Sequence, residues 1–369
     1  MTTATVAARD GRTSSASVEP DAAAAISQGE CVVTIASAAD DGAWDAFVTS
    51  AAGATGYHRW AWRSVFVRAF GHEPIYLIAR RGAAVVGVLP LVHINSRLFG
   101  RSLTSLPFVN YGGVVAQSEL VANRLLEKAE DVARTRRCRH VELRHIGRRF
   151  PQLPCRQHKV AMLLPLERGM WERLDRKVRN QIRKAQKSEL AVERGGAELR
   201  RDFYTVFARN MRDLGTPVYS PRLFDEVLET FSGVTSVHVV RRSGRPIAAG
   251  LTYRHGDTVE VPWASSIRDY NSLCPNHLLY WSVIETAVDD GCSILDFGRS
   301  TPDEGTFKFK EQWGARPVPL HWEYRLIDGT SVPDVSPTNV KYRLAIEMWK
   351  RLPLPLTTRL GPRIVRGIA

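Results

Sequence analysis

Apolar positions follow two rhythms along this chain. Short runs rich in β-branched residues predict strands: Cys31-Val32-Val33-Thr34-Ile35, two runs within 75–92 separated by the turn at Arg81-Gly82, and residues 140–144. Between them, apolar residues recur at helical spacing. Trp44, Phe47 and Val48 form the inner side of one helix, with Asp40 or Asp41 as its cap, and Trp62, Val65, Phe66 and Phe70 mark a second. Residues 120–137 predict an amphipathic third. The glycine-flanked stretch 105–113 fits neither rhythm and is expected to line a cleft, with Asn110 and Tyr111 as polar members.

That order then returns. Residues 237–244 repeat the character of 75–82, including the basic pair before glycine, and 247–253 repeat 85–92. A helix over 277–290 stands where 120–137 stood, and a strand over 293–297 where 139–143 did. An offset of about 150–160 residues marks one fold used twice. The expected fold class is α/β with mixed (α+β) sheets, in two tandem units over 31–165 and 166–330. A leader over 1–30, rich in Ala, Ser and Thr, is expected to be disordered, and a basic tail fills 331–369.

The second unit carries most of the candidate chemistry. A helix over 171–187 turns Trp171, Leu174, Val178, Ile182 and Ala185 inward, leaving Arg176, Arg179, Arg183 and Lys187 as a second stripe. That stripe reads as a solvated face or as an anion-binding wall. A helix ending at Gly215 brings Asn210, Arg212 and Asp213 together, as local capping or as part of a pocket. The strand over 258–266 puts Glu260 and Pro262 on one face and Val259, Val261 and Trp263 on the other. A carboxylate among apolar neighbours is a candidate general base with a raised pKa; an exposed edge Glu is the alternative. In residues 293–313, a buried strand passes into a polar loop with Asp296, Arg299, Ser300, Thr301, Asp303 and Glu304. Phe307, Lys308, Phe309, Lys310 and Trp313 follow, alternating rings and cations that suit a phosphate or an activated carbonyl.

Charge narrows the partners. A net charge of +13, from 51 basic against 38 acidic residues, favours anionic partners: phosphorylated substrate, tRNA, acidic polysaccharide or an anionic membrane surface. Helix-turn-helix and zinc patterns are missing, which argues against sequence-specific DNA binding. The five cysteines (Cys31, Cys138, Cys155, Cys274, Cys292) lack metal-site spacing, so no metal is expected, and their number fits a reducing compartment. Residues 1–30 lack the apolar core of a signal peptide, which makes the expected location cytoplasmic.

Several separated motifs carry a resemblance, in order along the chain. They are residues 106–113, Lys177-Val178-Arg179-Asn180-Gln181-Ile182-Arg183, residues 210–219, Val261-Pro262-Trp263-Ala264-Ser265-Ser266, and Phe297-Gly298-Arg299-Ser300 followed by Phe309-Lys310, Trp313 and Gly314. Together they resemble FemAB-related proteins of the tandem GNAT-like acyltransferase group, nearest to those associated with exosortase/PEP-CTERM exopolysaccharide systems. The resemblance implies two GNAT-like units and acyl transfer to a small-molecule or lipid-linked amine. The donor it implies is acyl-CoA or aminoacyl-tRNA, with no permanently bound cofactor. A glycine-rich pyrophosphate loop and a coiled-coil arm are both missing, so the donor stays open. For this chemistry the expected catalytic residues are Asp296 or Glu260 as base, with Lys308, Lys310 and Arg299 holding phosphate or oxyanion. Asn110, Tyr111, Arg179, Arg183, Asn210, Arg212, Trp263, Ser300, Phe309 and Trp313 are expected to bind substrate.

The tail holds seven Lys/Arg against Asp334 and Glu347, with Tyr342, Ala345, Ile346 and Trp349 on one helical face. It reads as a segment at the inner membrane surface or as a helix packed on the body. A non-catalytic anion-binding or assembly protein of an exopolysaccharide system is the other functional reading.

Overall fold

The computed structural model describes residues 30–97, 99–327, 329, 331–332 and 340–368. Apart from Glu30, the expected leader lies outside them. The described strands of the first half are β1 (Cys31–Ile35), β2 (Glu73–Arg81), β3 (Ala84–Ser96), β4 (Gly100–Ser105), β5 (Val115–Ala116), β6 (His140–Ile146) and β7 (Cys155–Pro165). Those of the second are β8 (Leu190–Gly195), β9 (Thr235–Arg242), β10 (Arg245–His255), β11 (Thr258–Ser266), β12 (Ile294–Ser300) and β13 (Arg316–Leu326). All belong to one mixed sheet, ordered β1-β2-β3-β4-β6-β13-β7-β12-β11-β10-β9-β8, with β5 against β3.

Each half is an antiparallel meander that ends in one parallel pair bridged by a helix. Glu119–Thr135 joins β4 to β6, and Pro275–Asp289 joins β11 to β12. The last strand of each half then crosses over. β7 pairs with β12 and β13, while β13 pairs with β6 and β7. The halves also share a core. The helix Trp62–Phe70 packs on Pro221–Thr230, with Trp62 4.8 Å from the Phe231 ring and Arg68 paired to Glu226 at 2.5 Å. Trp44, Phe47, Val48, Val65 and Phe66 are all buried there, as their spacing predicts.

Both parallel pairs are short. β4 and β6 share the rungs Ser102–His140, Leu103–Val141 and Thr104–Glu142; β11 and β12 share Thr258–Ile294, Val259–Leu295 and Glu260–Asp296. Beyond the last rung each pair parts into a fork. The first fork is filled by the chain itself. Residues 106–114 run back beside β6, where the Arg144 N–H donates to Ser105 Oγ at 2.8 Å and the Gly112 N–H to the Arg144 carbonyl at 2.9 Å. The Val114 N–H donates to His145 Nε2 at 2.8 Å, while His145 Nδ1 pairs with Glu323 at 2.7 Å. Among the described residues, no backbone hydrogen bond closes the second fork beyond Glu260 and Asp296.

Local sequence explains four departures from the predicted elements. Ser37, rather than Asp40 or Asp41, caps the first helical turn, and the Asp40 carboxylate returns to the Ser37 N–H at 2.7 Å. The helix over 171–187 is two, Met170–Arg173 and Arg176–Lys187, because Asp175 is extended and caps the second. β12 runs on to Ser300, so Asp296 and Arg299 are strand residues. Residues 305–311 form a helix (Gly305–Glu311), which buries Lys310 and leaves Lys308 exposed. The tail helices Val340–Arg351 and Leu354–Val365 lie against Arg200–Leu214. No helix of the described residues is long and apolar enough to cross a membrane.

Gly113 is the tightest point of the filled fork. Its φ is +97°, and a Cβ there would lie 2.2 Å from the His145 ring. That ring is held on both nitrogens and cannot swing aside. Gly113→Ala is therefore expected to cost roughly 2–4 kcal/mol, read as a lower denaturant midpoint with an unchanged m-value.

A buried acid pair at the mouth of the open fork

The last rung of the second fork sets two carboxyls side by side. Glu260 is 2% exposed and Asp296 0%. Burial raises the pKa of both; for Glu260, where it is pushed well above its usual range, the charge of Asp296 adds to the effect. Their surroundings differ. Asp296 accepts from the Gly298 N–H at 2.7 Å and from the Tyr111 hydroxyl, and the Lys310 charge also favours its ionised form. Glu260 has Tyr57 beside it and an Oε2 with no partner. These surroundings favour the proton on Glu260 and the charge on Asp296. Tyr57 is anchored in turn by Asn110, whose Nδ2 donates to its hydroxyl at 3.2 Å.

Gly298 makes a bulge that re-aims the strand. Its φ is +74°, a Cβ would meet the Val261 carbonyl at 3.2 Å, and the β12–β7 register slips between Asp296 and Arg299. Lys310 fixes that bulge by donating to the carbonyls of Gly298 at 3.1 Å and Arg299 at 2.9 Å. Burial draws its pKa down to about 8. The Arg299 guanidinium comes out beside Trp322, with its carbon 5.6 Å from the ring centroid, and Arg144 stacks on the same ring at 4.3 Å. Burial, then the charge of Arg144, lowers the Arg299 pKa to about 10.

Asp296, Glu260, Tyr111, Asn110, Arg299 and Lys310 thus come together. Phe309 and Trp313 do not reach the acid pair but pack with His277, Tyr280 and Phe297. That aromatic cluster borders a cavity of about 280 Å³ at the N-terminus of Pro275–Asp289, lined in part by Lys177, Gln181, Asn276, His277 and Phe309. Trp263 packs on Phe224, with ring centroids 5.3 Å apart, and Ser300 is buried with an unpaired Oγ. Asn210 donates to Ser265 on β11 at 3.0 Å. Arg212 is taken up elsewhere, on Asp213 at 2.6 Å and the Leu352 carbonyl. Arg183 lies over Trp171 on the exposed side of its helix, and Arg179 keeps a buried, unpaired Nε. Lys308 points to solvent.

Tyr57, Arg144 and Trp322 belong to this cluster and had no motif to announce them. They come from the first half and from the crossed-over strand, so only the exchange of strands brings them to Glu260 and Asp296. The strand pattern around Glu142 and Arg144, two charges alternating with Val141 and Leu143, was the one available signal.

The acid pair has a signature in stability. Unfolding returns both carboxyls to their ordinary range, so above about pH 4.5 the unfolded chain holds fewer of these protons than the native one, and stability falls as pH rises. Glu260→Gln removes the titration. Its melting temperature relative to the parent is expected to climb between pH 5 and pH 8, and a flat difference would remove the coupling from the account.

Residues 172–311 match the acetyltransferase (GNAT) domain family. The structure of FemX is similar over 85% of this chain and 100% of its own, at 13% identity and a TM-score of 0.63. A tandem GNAT protein from the clavulanic acid biosynthesis pathway matches over 82% and 100%, at 11% identity and 0.53. L-PGS from Bacillus licheniformis matches over 84% and 96%, at 11% identity and 0.51. No curated protein sequence matches the chain. The molecule is a mixed α/β protein of tandem GNAT-like fold, whose residues 172–311 match the GNAT acetyltransferase domain family.

Proposed function

We propose that this chain is an N-acyltransferase that moves an acyl or aminoacyl group from an activated donor to an amine, in the assembly of cell-envelope or exopolysaccharide material. The observation that carries the reading is the buried acid pair at the last rung of an open fork. An open fork leaves the edge of β11 free to bind a linear acyl donor by its backbone, and the pair stands where the reacting carbonyl would lie. The first fork, filled by residues 106–114, has no room for a second donor.

Acyl-CoA is the donor that a GNAT domain implies. Both strands of the fork point toward the N-terminus of Pro275–Asp289, where backbone N–H groups and Lys177 suit a diphosphate. Aminoacyl-tRNA is the other donor, and the exposed cations Arg176, Lys177 and Arg183 suit it.

Orientation supplies much of the rate by holding the amine beside the carbonyl. The Tyr111 oxygen accepts a proton from the attacking nitrogen as it passes its own to Asp296. The C–N bond forms, the bond from the carbonyl to the donor sulfur or oxygen breaks, and that proton leaves on the departing thiol or hydroxyl. Protonated Glu260 keeps a second charge out of the site. Lys310 acts through the Gly298 and Arg299 carbonyls, holding the bulge that aims Arg299. In the tail, exposed Leu344 and Met348 beside Lys350 and Arg351 suit peripheral contact with an anionic membrane.

Purified protein supplied with acyl-CoAs or charged tRNA and a panel of amines tests the assignment. Asp296→Asn is expected to lower turnover by roughly 10²–10⁴-fold while keeping donor-induced thermal stabilisation. Lys308→Ala, on the exposed face of its helix, is expected to match the parent. Full turnover in Asp296→Asn would end this mechanism. Loss of flotation on anionic vesicles after removal of residues 331–369 is the outcome expected for the tail.

A further inference from the structure

Trp322 stands at the middle of the sheet among cations that carboxylates compensate only in part. On the neighbouring strand, in register with it, Arg144 is 2% exposed. Its Nε donates to Glu142 at 2.7 Å, but its Nη2 is buried without a partner. Arg299 approaches the same ring and makes no ion pair or side-chain hydrogen bond among the described residues. Lys159 donates to Thr301 Oγ1 at 2.6 Å, and burial, then the Arg299 charge, holds its pKa below the usual range. The Trp322 Nε1 is likewise buried with no acceptor. The carboxylates in reach are Glu142, already bonded to Arg144, and exposed Glu304 near Lys159.

Arg299, which is set against both Arg144 and Lys159 and has no carboxylate of its own, is held here beside two donors that lack acceptors. Such an arrangement is stable only because the fold over-determines it, and it is relieved by an anion. We propose that the Arg144–Trp322–Arg299 cluster binds a phosphoryl group carried by the acceptor substrate. Two guanidiniums and an indole N–H offer more donors than a carboxylate can accept, and they match the several oxygens of a phosphate or diphosphate. Arg299 lies one bulge along β12 from Asp296, so a molecule anchored there by its phosphoryl end presents its remainder to the fork. That the anchored molecule is the acceptor rests on the acyl-transfer reading; the anion site does not.

The test is calorimetry and thermal melting of the full chain with pyrophosphate and inorganic phosphate, against acetate and chloride at matched ionic strength. Pyrophosphate is expected to bind more tightly than acetate, with about tenfold loss in Arg299→Gln. Trp322→Phe, which keeps the ring and removes the N–H, is expected to lose several-fold. Asp296→Asn is expected to bind as the parent does. ADP and farnesyl phosphate form two further arms, and the tighter of them tells whether a nucleotide or a lipid carries the phosphoryl group. Equal response to acetate, or undiminished pyrophosphate binding in Arg299→Gln, overturns the site. Binding that is lost in Arg299→Gln, alongside full acyl transfer by Asp296→Asn, supports the anion site and removes only the catalytic assignment.

Discussion

The crossing of the two last strands is the constraint from which the rest follows. Because β13 lies between β6 and β7, and β7 between β13 and β12, neither half closes its own sheet. The centre of the molecule is consequently built from both halves, in register, with Trp322 opposite Arg144 and Ala161 opposite Arg299. Side chains more than 150 residues apart in sequence come to share one face. The hydrophobic contact between the two helix layers then locks the halves at a fixed angle.

Duplication has left two forks with different fates. In the first, Thr104 and Glu142 occupy the last rung, Glu142 is engaged by Arg144, and the following loop fills the gap. In the second, the equivalent rung carries Glu260 and Asp296, and among the described residues no backbone hydrogen bond joins the strands beyond it. The first half has instead become a supplier of parts. Tyr57, Asn110 and Tyr111 reach across to fix the carboxyls of the second.

Much of this was legible in the chain. The repeat, the strand and helix order, and Asp296, Glu260, Arg299, Lys310, Asn110 and Tyr111 as polar residues near a cleft all follow from pattern and resemblance. What failed did so for local reasons. A run of alternating rings and cations reads as a turn until one sees that Gly305–Glu311 is about two helical turns, which separates Lys308 from Lys310 by about 200°. Arg212 was legible as polar but not as the anchor of a segment 140 residues away. Arg144 and Trp322 were out of reach because strand exchange is a property of the whole sheet, and no local periodicity encodes it.

The same exchange shapes how the protein comes into being. β6 ends at Ile146, and the strand that covers it begins at Arg316, so its edge is finished about 170 residues before its partner exists. At ribosomal speeds of roughly 5–20 residues per second, that interval is on the order of ten to thirty seconds. Throughout it, a nascent first half carries a bare strand edge, buried in the finished fold, of the kind that pairs with a neighbour. Synthesis of this molecule thus includes an obligatory period of vulnerability, in which a holding chaperone or a slow, dilute expression regime decides the yield of native chains.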